Sequence, residues 1–121
     1  MTPIALSLAI AVGLLHVWIL VLEMVLWTRP AGLRAFGNTP ERAQTTRVLA
    51  ANQGLYNGFL AAGLFWGAAT VQWPVLLFFL GCVVVAGCYG AWSVNRRIFF
   101  IQALPALLAI GAVLLAMPGG A

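Results

Sequence analysis

The sequence predicts an all-α protein, a bundle of four transmembrane helices, and three observations predict it. Apolar residues make up 64% of the 121 positions and charged residues 7%, against roughly 45–50% and 25% in ordinary soluble domains. The apolar residues gather in four runs, each near the ~20 residues a helix needs to cross ~30 Å of hydrocarbon. The 6 basic residues are all arginines, and they fall in two of the three segments that join those runs. A soluble fold of this length could not hide so much apolar surface. Its length suits one domain, residues 1–121, and is short for two.

The first run covers about 3–27, from Pro3 to Trp27. A secretory signal carries a basic start and a shorter apolar stretch, whereas this segment has no charge before Glu23. It is read as a retained helix. The stretch Thr28–Thr39 holds Arg29, Pro30, Gly32, Arg34 and Gly37 and reads as a loop. Asn38-Thr39-Pro40-Glu41 is a helix start: an amide or hydroxyl to cap free N–H groups, proline in the first turn, and an acid at the positive dipole end. The second helix is expected over 40–70, entering hydrocarbon near Val48. Gln72-Trp73-Pro74 is a tight uncharged turn, and the third helix is expected over 74–94. Asn95-Arg96-Arg97 makes the last turn, and the fourth helix is expected over 98–117, ended by Pro118-Gly119-Gly120.

Orientation follows from the arginines. Arg29, Arg34, Arg42 and Arg47 flank the first connection and Arg96 and Arg97 the third, while the second connection and both termini have none. The positive-inside rule then places the arginine-bearing connections in the cytoplasm and both termini outside a cell (inner or plasma) membrane. This distribution also explains the +4 net charge without nucleic acid, which would call for a basic stripe interleaved with aromatic residues. The expected partner is the lipid bilayer.

Ionisable and amide side chains inside the spans are the candidate functional residues, because each is expensive in hydrocarbon. Glu23 lies about one turn inside Trp27, and His16 is two turns deeper on the same face, ~10 Å away along the axis. The second helix carries Asn52, Gln53, Tyr56 and Asn57, whose spacings of four form one broad polar face. The fourth helix offers Gln102 and the third Tyr89. Counted from the arginines at ~1.5 Å per residue, Glu23, Asn52, Gln53 and Gln102 lie at comparable depth, with Tyr56, Asn57 and Tyr89 deeper and His16 near the midplane. They are expected to converge on one polar, ligand-binding pocket in the cytoplasmic half of the bundle. The competing reading is that the amides only hydrogen-bond helix to helix, that His16 is a packed core residue, and that Tyr89 is a core or interface aromatic. A buried carboxylate resists that reading more, since it must be paired or protonated.

Other features read as structural. Gly54 and Gly58, Gly63 and Gly67, and Ala86 and Gly90 are each four apart, a spacing that lets helices pack closely in lipid. One four-helix unit has few inward faces for both glycine pairs of the second helix, so a homo-oligomer is expected. Pro105 removes a donor from the Ile101 carbonyl and is expected to shape or kink the fourth helix beside Gln102. Cys82 and Cys88, about 120° apart on one helix, cannot bridge within it. One histidine and one intramembrane glutamate do not make a metal site, and no Ser-His-Asp set, phosphate loop or Cys-x-x-Cys motif occurs. No metal and no cofactor are expected.

The run Asn52-Gln53-Gly54-Leu55-Tyr56-Asn57-Gly58-Phe59-Leu60-Ala61-Ala62-Gly63-Leu64, with His16, Glu23 and Trp27, Ala86-Gly87-Cys88-Tyr89-Gly90, and Gln102 with Pro105, resembles a family of small bacterial and fungal integral membrane proteins catalogued as domain-of-unknown-function family 1304. The resemblance covers nearly the whole chain. It implies four membrane helices and brings no activity with it. Three function classes follow from the residues: binding, or transport, of a small polar or amphipathic ligand, an arrangement analogous to small multidrug transporters only in layout; an intramembrane enzyme with Glu23 or His16 as proton shuttle on a lipid-like substrate; and a scaffold with no ligand. Binding is the first choice.

Overall fold

The computed structural model describes Met1–Gly120 and is helical along its length, with no strand among the described residues. Ala121, the last residue of the expected 1–121 domain, lies outside them. The elements in chain order are α1 (Thr2–Met24), α2 (Pro30–Phe36), α3 (Pro40–Ala69), α4 (Trp73–Ser93), a π-helical turn (Phe99–Ala103), α5 (Leu104–Ala116) and a terminal 3₁₀ turn (Pro118–Gly120). Three segments are long and apolar enough to cross a membrane: α1, α4 and Phe99–Ala116. With its 30 residues α3 has the length as well, and what sets it apart is the Asn52, Gln53, Tyr56 and Asn57 cluster.

Two boundaries depart from expectation. The first helix ends at Met24, three residues before Trp27. The segment expected to be a loop folds over Pro30–Phe36 into a short helix, with Pro30 at its start and Gly37 in the left-handed conformation at its end. Both ends use the residues suited to them; the sequence reading took them as loop punctuation instead. The start of α3 is as expected: the Thr39 hydroxyl accepts a hydrogen bond from the Arg42 N–H at 3.2 Å.

Each long helix buries a stripe that advances by three and four residues, as helix-on-helix packing requires. In α1 it is Ala5, Ala9, Val12, His16, Ile19 and Glu23. In α3 it runs through Ala43, Ala50, Gly54, Ala61, Leu64 and Ala68, with half-buried Asn57 in line. In α4 it is Leu76, Leu80, Val83 and Gly87. Small residues dominate the α3 stripe, which lets its neighbours' backbones come close.

The chain forms two compact units, Leu14–Ala61 and a second that joins Met1–Gly13 to the chain from Ala62 onward. Within the first, Gly54 and Gly58 pack on α1. A Cβ on Gly54 would stand 2.5 Å from Met24 Cγ, 3.1 Å from Glu23 Cβ and 3.3 Å from the Leu20 carbonyl oxygen, so only glycine fits. Within the second, Gly63 receives the Phe79 ring and Gly67 the Leu76 side chain. Both glycine pairs are therefore filled by side chains of the same chain.

The second unit also carries the consequence of Pro105. Rather than a simple kink, the helix widens into the π turn: the Leu104 N–H reaches back five residues to the Phe99 carbonyl. Pro105 has no N–H to give, and a π turn is one way a helix absorbs such a gap. Gly87 of α4 lies against this turn, where a Cβ would stand 2.7 Å from the Ala103 nitrogen.

The turn between α3 and α4 stores strain. Val71 has φ of +49°, a region that costs a β-branched residue roughly 1–2 kcal/mol. Glycine removes that cost but adds roughly 0.5–1 kcal/mol of backbone entropy. Val71→Gly should therefore stabilise the protein by about 0.5–1 kcal/mol, read as a higher unfolding midpoint in detergent. A midpoint below that of the wild type would contradict the assigned strain.

Candidate functional site

The polar residues of the Leu14–Ala61 unit separate into a buried pair and an exposed face. Glu23 is 8% exposed and His16 1%, both within the α1 stripe, because a spacing of seven returns a helix to the same side. The close approach at Gly54 brings α3 against this stripe. Asn57, one turn further along α3, donates from Nδ2 to Glu23 Oε1 at 2.6 Å. The same nitrogen donates to the Gln53 carbonyl at 3.2 Å. An amide NH₂ has two hydrogens, so both are used, and the Glu23 carboxyl is tied through Asn57 to the α3 backbone. Among the described residues no buried side-chain nitrogen or oxygen lacks a hydrogen-bond partner. His16 likewise has a partner of its own.

The connection between α1 and α3 is fastened at Trp27. Its indole Nε1–H donates to Thr46 Oγ1 at 3.1 Å, and its ring meets that of Phe36 at 4.9 Å between centroids. This contact joins the turn after α1, the end of α2 and the first turns of α3, and so holds the register in which Glu23 faces Asn57.

Asn52, Gln53 and Tyr56 lie on the outside of α3. Tyr56 is 59% exposed, with its ring against Phe59. Asn52 donates from Nδ2 to the Val48 carbonyl at 3.0 Å, which leaves one amide hydrogen and the amide oxygen for other partners. Asn52 lines a groove of about 350 Å³ with Met24, Arg47, Val48, Ala51 and Leu55. The groove is open and shallow rather than an enclosed cavity. Its lining combines a guanidinium, an amide and apolar side chains.

Of the residues expected to form one pocket, the structure thus brings Glu23 and Asn57 into contact, keeps His16 in their helix stripe, and turns Asn52, Gln53 and Tyr56 outward. Gln102 belongs to the other unit, half-buried in the π turn. Tyr89 is exposed beside Trp92 rather than buried. Arg47, which the sequence reading uses only for orientation, lines this groove beside Asn52. The spacing of Val48, Asn52 and Leu55 by four and three, on one face with Arg47 a turn before Ala51, was the signal available.

The comparisons agree with the resemblance noted above. The model of a family described as protein of unknown function (DUF1304) matches residues 10–114. The chain is similar to the uncharacterized protein YpaA of Lactococcus lactis subsp. lactis (strain IL1403), with 27% identity over 114 residues, covering 91% of this chain and 96% of that protein. No solved structure matches.

The buried pair and the glycine notch make graded stability predictions. Asn57→Ala should cost about 1 kcal/mol by removing the donor to Glu23. Gly54→Val should cost about 1–3 kcal/mol through overpacking. Glu23→Gln keeps an acceptor for Asn57 and should cost less than Asn57→Ala. Unfolding titrations with a denaturing detergent measure all three, and a Gly54→Val protein as stable as the wild type would contradict the close approach.

Proposed function

Since the chain belongs to this family of unknown function, its activity has to be argued from its own residues, and we propose that it is a four-crossing membrane protein that binds a small amphipathic molecule beside Arg47 and Asn52. The crossings in question are α1, α3, α4 and the helix over 99–116. Three of these are apolar enough by themselves. The case for α3 is electrostatic. With α3 across the membrane, Arg29, Arg34, Arg42, Arg47, Arg96 and Arg97 lie on one side, as positive-inside asks. With α3 on the surface, Arg96 and Arg97 would lie opposite the other four. Its 30 residues span ~45 Å at ~1.5 Å each, enough for the hydrocarbon and an emergent first turn.

The observation that carries the binding reading is the groove itself. Arg47 offers a fixed fork of donors suited to a carboxylate, phosphate or sulfate head, and Asn52 adds a donor and an acceptor beside it. Met24, Val48, Ala51 and Leu55 match an apolar tail. This reading is favoured over proton-transfer catalysis because neither Glu23 nor His16 lines the groove and the Glu23 carboxyl is engaged by Asn57. Glu23 and Asn57 act instead as a pin that fixes α1 against α3 and thereby shapes the groove's floor.

Two measurements test this. Native mass spectrometry of protein extracted gently from its own membranes should show a bound small molecule that Arg47→Gln and Asn52→Leu lose and Glu23→Gln keeps. Loss with Glu23→Gln alone would favour the catalytic reading. For topology, with Cys82 and Cys88 replaced by serine, a membrane-impermeant maleimide should label Gln72→Cys in intact cells and leave Asn38→Cys unlabelled. The reverse pattern would invert the orientation, and equal labelling would remove α3 from the membrane.

A further inference from the structure

The second unit has a larger groove that the proposed function does not use. It measures about 570 Å³ and is lined by Cys88, Ala91 and Trp92 of α4, by Arg96, and by Phe99 and Phe100 of the π turn. Trp92 is 82% exposed and Phe100 64%, so these rings present their area outward instead of filling the core. Arg96 stands in the turn between α4 and the π turn, next to the end of a span. A tryptophan and an arginine at the end of a membrane helix are the side chains that sit at headgroup level.

Charge narrows the occupant. The chain has 2 acidic residues, Glu23 and Glu41, and both belong to the Leu14–Ala61 unit. The unit that carries Arg96 and Arg97 therefore contains no aspartate or glutamate at all. No side chain of that unit offers Arg96 an anion, whereas the phosphates of a bilayer would. The π turn adds a second feature. The Leu104 N–H is given to the Phe99 carbonyl, and Pro105 has no N–H with which to serve Phe100. With the Leu104 N–H directed to Phe99 and Pro105 lacking an N–H, the Phe100 carbonyl, in a residue that lines the groove, is a candidate acceptor for a hydroxyl-bearing headgroup.

We propose that this groove is a docking site for one anionic phospholipid, its phosphate on the Arg96 guanidinium and its acyl chain along Trp92, Phe99 and Phe100. The guanidinium fork matches phosphate oxygens in pairs, and the aromatic walls carry the chain. A zwitterionic lipid fills the same walls but places a cationic group beside Arg96, so the site discriminates by charge. The site is independent of the Arg47 groove, because no residue is shared between them.

The test is lipid titration of the purified full chain followed by native mass spectrometry, with dioleoyl phosphatidylglycerol and dioleoyl phosphatidylcholine as probes. The wild type should bind phosphatidylglycerol in preference to phosphatidylcholine. Arg96→Gln should weaken one phosphatidylglycerol by about fivefold, the share of one arginine at a lipid surface, while Arg97→Gln, adjacent but outside the groove, should retain it. Arg47→Gln separates the two grooves: a bound lipid lost there and kept in Arg96→Gln belongs to the other site and overturns this assignment. Equal binding of the two lipids, or equal loss in Arg96→Gln and Arg97→Gln, overturns it as well. As a check independent of charge, phosphatidylglycerol brominated on its acyl chains should quench the wild type more than Trp92→Phe. Equal quenching would mean that the chain does not lie in this groove.

Discussion

A carboxyl group buried between helices has to be partnered from within the protein, and the fold of the Leu14–Ala61 unit is arranged around meeting that demand at Glu23. The partner is an amide on α3, and an amide reaches a carboxyl at 2.6 Å only when the two helices run close together. Gly54 makes that approach possible, since even one added carbon would meet Met24, Glu23 and the Leu20 carbonyl. Three features usually considered separately are thus one device: the small-residue notch sets the distance, the stripe that advances by seven sets the rotation, and the Asn57 bond then sets the register. Trp27 reinforces it at the turn, where its bond to Thr46 fixes the slide of α3 along α1. A polar residue in a helix seam is best attested in this role of fixing one alignment over its neighbours.

How much of this could be read from the sequence depended on whether the property belongs to a residue or to a pair of surfaces. Helicity and the start of α3 at Pro40 with Thr39 as its cap are local, and the sequence carried them. Burial of His16 and Glu23 on one face followed from their spacing. Which face of α3 meets α1 did not. Asn52, Gln53, Tyr56 and Asn57 cover an arc broad enough that only some can point inward, and composition does not say which. The glycines were the missing guide. Gly54 and Gly58 mark the contact face, Asn57 lies between them on the same side, and Asn52 and Tyr56 fall away from it. The positions of the glycine pairs themselves held the answer.

The boundaries missed by the sequence reading have a similar cause. The segment after Trp27 looks like a loop because proline and glycine recur in it, yet Pro30 and Gly37 stand at the two ends of α2, where each is the favoured residue. The same residue types break a helix inside and delimit it at the ends. Pro105 was expected to bend the last helix, and the helix responded by changing its hydrogen-bond register over Phe99–Ala103. Only the neighbour explains the choice: Gly87 lets α4 come against Ala103, and a widened turn fits that contact without tilting the whole helix away.

The separation of buried from exposed polar groups also bears on what kind of function this scaffold can have. A catalytic carboxyl needs substrate to reach it and freedom to change its partners. Glu23 has its hydrogen bond from an amide whose two hydrogens are both committed, in a helix contact tight enough to exclude a side chain. Such a group is suited to holding an alignment. The side chains with unspent hydrogen-bonding capacity are those outside: the Arg47 guanidinium, the second half of the Asn52 amide, and in the other unit Arg96 beside its aromatic walls. Each of these arginines adjoins a groove with apolar walls, the kind of surface that the proposed amphipathic ligands would use. The interior therefore fixes the geometry, and the side chains that the proposed binding reading draws on lie on the outside rather than in the single pocket that depth along the helices suggests.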